Sequence, residues 1–190
     1  MPEPAPLEIG FEAEGIAALA RVPAAVERVT AAFDALRMPV YRYLLVVTGS
    51  PEEAEDIAQE SFLRLYRQLR QGAAVNDARL WLFTVAHNLA LDRRRAGRLE
   101  CRFDAPDWVE LMENRRAPDL NPEQTLIQKE KYLALRRNIG LLSAIEQEVL
   151  HLRSEGLRYR QIGEVLGIGT STVSDALQRG VEKLKAGLHA

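Results

Sequence analysis

Trp81, Thr84, Asn88, Leu91 and Arg95 recur at spacings of three and four along the stretch WLFTVAHNLALDRRRAGR, residues 81–98. On a helix at about 100° per residue they fall on one stripe. A flat ring for stacking, an amide for base edges and arginines for phosphate are the groups that hold unpaired nucleic acid. Leu82, Val85, Ala86, Leu89 and Arg93 form a neighbouring stripe, which is expected to face a core. Read alone, the helix fits better a tryptophan at a core edge with solvated arginines; the rest of the chain reverses that preference.

A second surface precedes it. Ser50-Pro51-Glu52-Glu53 reads as a helix start, with serine as cap, proline in the first turn and glutamate placed for a capping box. The helix is expected to reach Arg70, with a core stripe of Ala54, Ile57, Ala58, Ser61, Phe62, Leu65 and Leu69. Its other side carries Glu52, Glu55, Asp56, Gln59, Glu60 and, unexpectedly, Leu63. Acids in a first helical turn complement the helix dipole, which explains Glu52 and Glu53 but not an apolar side chain set among acids. That face suits docking of a basic partner.

The third constellation is C-terminal. Ala144–Ser154 and Tyr159–Leu166 are read as helices, Gly167-Ile168-Gly169 as a turn, and Ser171 to about Leu188 as a longer capped helix. Short helix, glycine turn and second helix make a helix-turn-helix, whose second helix enters the DNA major groove. Ile162, Val165, Leu166, Ile168 and Val173 are expected to pack the pair, with Gly163 permitting close backbone approach. With Val173, Leu177, Val181 and Leu184 turned inward, Ser171, Thr172, Ser174, Asp175, Gln178, Arg179, Glu182 and Lys183 face outward. A tri-helical packing unit without a DNA role is the alternative.

Between these surfaces run the elements that position them. Val26, Val29, Phe33, Leu36 and Val40 repeat at helical spacing, and Pro39 predicts a kink or restart near Met38. Residues 1–23 are expected to be largely mobile, with one short helix around Ile16 and Leu19. Asp77 is placed to cap the Trp81 helix. Residues 101–122 are acidic and punctuated by proline, as a linker is; Trp108, Leu111 and Met112 are spaced for a turn or two of helix. No sustained alternation suggests a strand. The expected fold is therefore all-α: an N-terminal extension over 1–23, a helical domain over 24–100, the linker, and a second helical domain over 123–190.

Charge follows the same division. Residues 1–60 hold 4 basic and 11 acidic side chains, 61–102 hold 9 and 3, 103–122 hold 2 and 5, and 123–190 hold 10 and 8. A chain of formal net charge -2 is thus built of alternating acidic and basic blocks, which suggests one basic and one polyanionic partner. Cys101 is the one cysteine, so no intramolecular disulfide forms, and with His87, His151 and His189 it makes no recognisable metal cluster. His87 is expected on a helix flank as an ordinary polar residue. No apolar run reaches the length of a membrane span, and the expected setting is cytoplasmic.

Taken in order, Glu53-Ala54-Glu55-Asp56-Ile57-Ala58-Gln59-Glu60-Ser61-Phe62-Leu63-Arg64-Leu65, then residues 81–92 with the arginines after them, then Glu146, Gly156, Ile162, Gly163, Leu166, Gly167, Thr172 and Val173, resemble the extracytoplasmic-function (ECF) sigma factors of bacteria. The resemblance covers roughly Phe33 to Gly187. It implies that Glu52, Glu55, Asp56, Gln59, Glu60 and Leu63 dock on the clamp helices of core RNA polymerase. Asn76, Arg79, Trp81, Thr84, His87, Asn88, Leu91, Arg94, Arg95 and Arg98 would hold the melted minus-ten strand, with a flipped base in the loop before the helix. The linker would thread a channel otherwise used by RNA. Ser171, Thr172, Ser174, Asp175, Gln178, Arg179 and Lys183 would read the minus-thirty-five duplex. The expected protein is not an enzyme, uses no metal or other cofactor, and has core polymerase, promoter DNA and an inhibitory anti-sigma protein as partners.

One departure stands out: where the family carries basic residues after Thr172-Val173, this chain has Ser174, Asp175 and Ala176. Asp175 can accept from cytosine N4 or repel the phosphate backbone. Duplex binding by this part alone is therefore expected to be weak, and Asp175→Lys to tighten it. A stand-alone helix-turn-helix regulator binding operator DNA, or a non-DNA interaction protein that docks on polymerase or an anti-sigma factor, are the other classes the residues allow.

Overall fold

The computed structural model describes residues 10–97 and 138–188, with side chains over 21–97 and 138–187. Among them are six helices and no strand: α1 Gly10–Thr48, α2 Pro51–Arg70, α3 Ala78–Arg95, α4 Ala144–Ser154, α5 Tyr159–Leu166 and α6 Thr170–Leu188. The expected linker, Cys101, Arg98 and the start of the expected second domain at residue 123 lie outside the described residues.

α1 runs through Pro23 and Pro39 without the restart expected near Met38. An interior proline costs roughly 3 kcal/mol, but Leu36, Val40, Tyr43, Leu44 and Val47 continue one buried stripe across Pro39, and that packing outweighs the lost backbone bond. Gly10–Pro23 is part of the same helix, so no break in secondary structure marks the expected boundary at residue 23. Further along, the buried stripe is Ala25, Ala32 and Leu36 rather than the larger residues beside them. Val26 and Phe33 stay exposed. Phe33 instead meets Phe62 edge-on, with centroids 5.1 Å apart, beneath the Arg37 guanidinium.

α2 keeps the seven-residue core stripe read from its periodicity, all of it buried. Ser50 caps it, accepting from Glu53 N at 3.3 Å. The capping box is only half made, because the Glu53 carboxylate is taken by Arg93 of α3. Arg93, placed by its spacing on the core stripe, thus ties α3 to the start of α2.

The last three helices pack as the spacing predicts. Ile162, Val165 and Val173 are buried, and Leu166 and Ile168 pack against them. Gly163 donates no side chain to the turn: a Cβ there would stand 2.7 Å from the Ile168 carbonyl oxygen, which is why glycine is required. Gly167 ends α5 in the left-handed region at φ 66°. α4 opens on a full capping box between Ser143 and Glu146. This trio closes onto the first three helices, α4 against α1 and α5 against α3, in one continuous core.

Candidate nucleic-acid interface

α2 presents the acidic face intact. Glu52, Glu55, Asp56 and Gln59 are exposed, Glu60 is half-buried, and Leu63 is 50% exposed among them. Asp56, Gln59, Glu60 and Leu63 line one wall of a groove of about 470 Å³, whose other wall is Leu89, Asp92 and Arg93 of α3 with Ala96 just after it. Both Glu52 and Glu60 are held below the usual glutamate pKa, the first by backbone and Ser50 hydrogen bonds, the second by its bond from Arg64. The face is therefore anionic with an apolar centre, the complement of a basic, partly apolar surface.

α3 is positioned by Asp77, whose carboxylate accepts from Leu80 N at 2.9 Å. The helix turns a different side inward than the spacing suggests. Leu82, Phe83, Ala86, His87 and Ala90 are buried, whereas Val85 and Leu89 are half-buried. The cause lies outside the helix: α1, α2 and α5 all pack on α3, and Tyr43 of α1 lies against both Phe83 and His87.

Among the residues expected to contact a single strand, Asn76, Asn88 and Arg95 are exposed, and Trp81, Thr84 and Leu91 half-buried. Three others are committed internally. Arg94 donates to the Val47 carbonyl at 2.9 Å, and Arg79 donates to the Glu155 carbonyl at 2.6 Å. His87, expected on a flank, is 5% exposed. Its Nδ1 lies 2.7 Å from the Tyr43 hydroxyl and 3.5 Å from Glu148 of α4. Burial, with Arg94 nearby, lowers the His87 pKa to about 4, so it is neutral at physiological pH.

On α6 the outward positions are exposed as expected, with Lys183 half-buried. The two cations there are not turned to solvent alone. Lys183 donates to Glu146 at 2.8 Å and Arg179 at 3.4 Å. Glu146, on α4, is 2% exposed. Burial raises its pKa, but the bonds from Lys183 and Ser143 outweigh that and hold it low. Sequence reading missed this residue as a partner of the recognition helix; its placement in the first turn of α4 suggests only a cap. What remains outward is Ser171, Thr172, Ser174, Asp175 and the Gln178–Glu182 pair, joined at 2.9 Å.

Comparison with known proteins supplies the family. Residues 32–100 match the profile Sigma-70 region 2, and 139–186 match Sigma-70, region 4. The chain is 31% identical over 158 residues to the ECF RNA polymerase sigma factor SigL of Mycobacterium tuberculosis, covering 82% of this chain and 85% of the relative. It is also 31% identical over 154 residues to ECF RNA polymerase sigma factor SigE of Mycolicibacterium smegmatis, covering 77% of this chain but only 56% of that longer protein. Among solved structures, the sigma factor RpoE in complex with the anti-sigma factor NepR from Bartonella quintana aligns over 86% of this chain and 96% of the other. The TM-score is 0.56 at 16% identity, a likeness of fold.

Proposed function

Because the chain belongs to the ECF sigma factors of bacterial RNA polymerase, we infer that its acidic α2 face is the polymerase-docking surface and its α3 face the strand-holding one. The protein is an alternative sigma factor that binds core polymerase and promoter DNA and directs transcription initiation. Its family consists of promoter-specificity factors rather than enzymes. No described helix is long and apolar enough to cross a membrane.

The observation that carries the residue-level reading is Leu63, half exposed at the centre of an anionic face and beside a groove. Asp56 and Leu63 dock on a basic element of core polymerase; Trp81, Asn88, Leu91 and Arg95 hold the melted strand by stacking, base-edge and phosphate contacts. Residues 24–100 and 123–190 are the two working domains, with 101–122 as linker. Ser171, Thr172, Ser174, Asp175 and Gln178 meet the duplex element with little cationic attraction, so that affinity comes from polymerase docking and specificity from these side chains. An operator-binding regulator acting alone needs the phosphate attraction that this helix lacks. The solved relative bound to an anti-sigma protein supports an inhibitor of that kind here.

Co-elution with core polymerase on size exclusion tests the docking surface. Wild type is expected to co-migrate and an Asp56→Arg, Leu63→Glu variant to elute alone; co-migration of that variant at wild-type affinity rules the face out.

A further inference from the structure

The first half of α1 lies ahead of the segment that matches Sigma-70 region 2, which begins at residue 32. It nevertheless reaches the loop 71–77 between α2 and α3. Arg28 Nη2 donates to the Val75 carbonyl oxygen at 2.8 Å. Arg21 sets its guanidinium beside Gly72, where an added Cβ would stand 3.3 Å from Nη1. Between the two arginines Ala25 is buried, in the same core as Leu69 and Val75. Residues 21, 25 and 28 are spaced by four and three, so they share one helix face, and that face is turned to the loop.

Both ends of the loop are fixed as well. Gly72 N donates to the Leu69 carbonyl at 3.0 Å and Ala73 N to the Gln68 carbonyl at 3.2 Å, which closes α2 in a Schellman motif, and Asp77 caps α3. With the Val75 side chain buried and its carbonyl taken by Arg28, Ala74 and Asn76 are left exposed, directly ahead of the strand-holding helix.

We propose that Arg28 is a positioning residue for strand recognition: through Val75 it holds the loop in the one shape in which Asn76 meets an unstacked base of the melted strand. Arg28 itself touches no DNA. Unstacking a base costs free energy, and a loop that is already ordered adds no ordering cost on binding. Asn76 offers both a donor and an acceptor to a base edge. The brace is independent of the sigma-factor reading; what the loop receives rests on that reading and on α3 as the strand-holding helix.

The test uses the full chain, Arg28→Met to remove the donor, and Arg37→Met to remove the same charge from an exposed position farther along α1. Amide hydrogen exchange is measured without polymerase. Holoenzyme assembled with core polymerase is then offered a pool of random single strands of about 12 nucleotides, and bound strands are sequenced. In Arg28→Met, exchange at residues 73–76 is expected to quicken about tenfold while the amides of α2 and α3 keep their wild-type rates. Wild type should enrich particular bases at several adjacent positions, and Arg28→Met should lose about fivefold of that preference at a single position, the worth of one hydrogen bond to a base edge. Arg37→Met should match wild type in both readings. Unchanged exchange in Arg28→Met overturns the brace. Base preference kept at every position, lost evenly across them, or absent from wild type overturns base selection by the loop. If Arg28→Met loses helicity by circular dichroism, Arg28→Gln, polar but too short to reach Val75, decides. Failure of the sigma reading shows separately, as wild type eluting apart from core polymerase, and leaves the exchange result standing.

Discussion

Glu146 fixes two things at once: its backbone and carboxylate complete the cap of α4, and its carboxylate holds Lys183 and Arg179 of the recognition helix. Glu146→Gln keeps the shape and removes the charge. The variant is expected to bind duplex DNA more tightly at low salt, with a log–log salt dependence steeper by up to about two units, one per released cation; an unchanged slope contradicts the pairing. A second residue-scale prediction concerns the groups buried between α1, α3 and α4. Burial lowers His87 and His151 to about 4, with help from Arg94 and Arg42 respectively, and raises Glu148 to about 7 against the pull of Arg94 and Tyr43. On unfolding, each histidine regains a proton below about 6.5 while Glu148 loses one above about 4.5. Between those values unfolding takes up about one net proton, so the folded state weakens roughly tenfold per unit as pH falls through that window. Ring titrations of both histidines followed by NMR should lie near 4; midpoints near 6.5 contradict their burial.

Elements show which parts of the chain speak for themselves. The core stripe of α2 is legible to the residue because α1 and α3 both pack along that one side, and a 3.6-residue period has no competitor there. α3 is not, since α1, α2 and α5 all cover it and α5 is some eighty residues away; His87 is buried against Tyr43 of α1 and Glu148 of α4, partners that local periodicity cannot see. Glu146 and Glu53 were hidden for the same reason, each reading as a cap while its charge is spoken for by a distant cation. The glycines of the C-terminal trio are separable by the same logic. Gly163→Ala drives a Cβ into the Ile168 backbone and is expected to destabilise by about 2 kcal/mol. Gly180→Ala crowds chiefly the end of the Leu150 side chain, at 2.8 Å, which can swing away, and the gain in helix propensity offsets much of the cost. Urea denaturation should separate the two; equal losses refute the backbone argument.

At the scale of the whole molecule, charge segregation announced two partners before any helix was placed, and the fold assigns each block a surface. The acidic face is the first half of α2 with its groove, the basic block holds α3 with Arg93, Arg94 and Arg95, and the second module is nearly neutral because its 10 basic side chains are set against 8 acidic ones. Such a molecule is expected to read a promoter weakly on its own and to depend on polymerase for affinity. The most direct measurement is initiation itself: core polymerase is incubated with fragments of bacterial genomic DNA, with and without the protein, and transcript 5′ ends are sequenced. Discrete start sites should appear with wild type, sharing an upstream element, and vanish with the Asp56→Arg, Leu63→Glu variant. Identical start sites with and without the protein contradict the account.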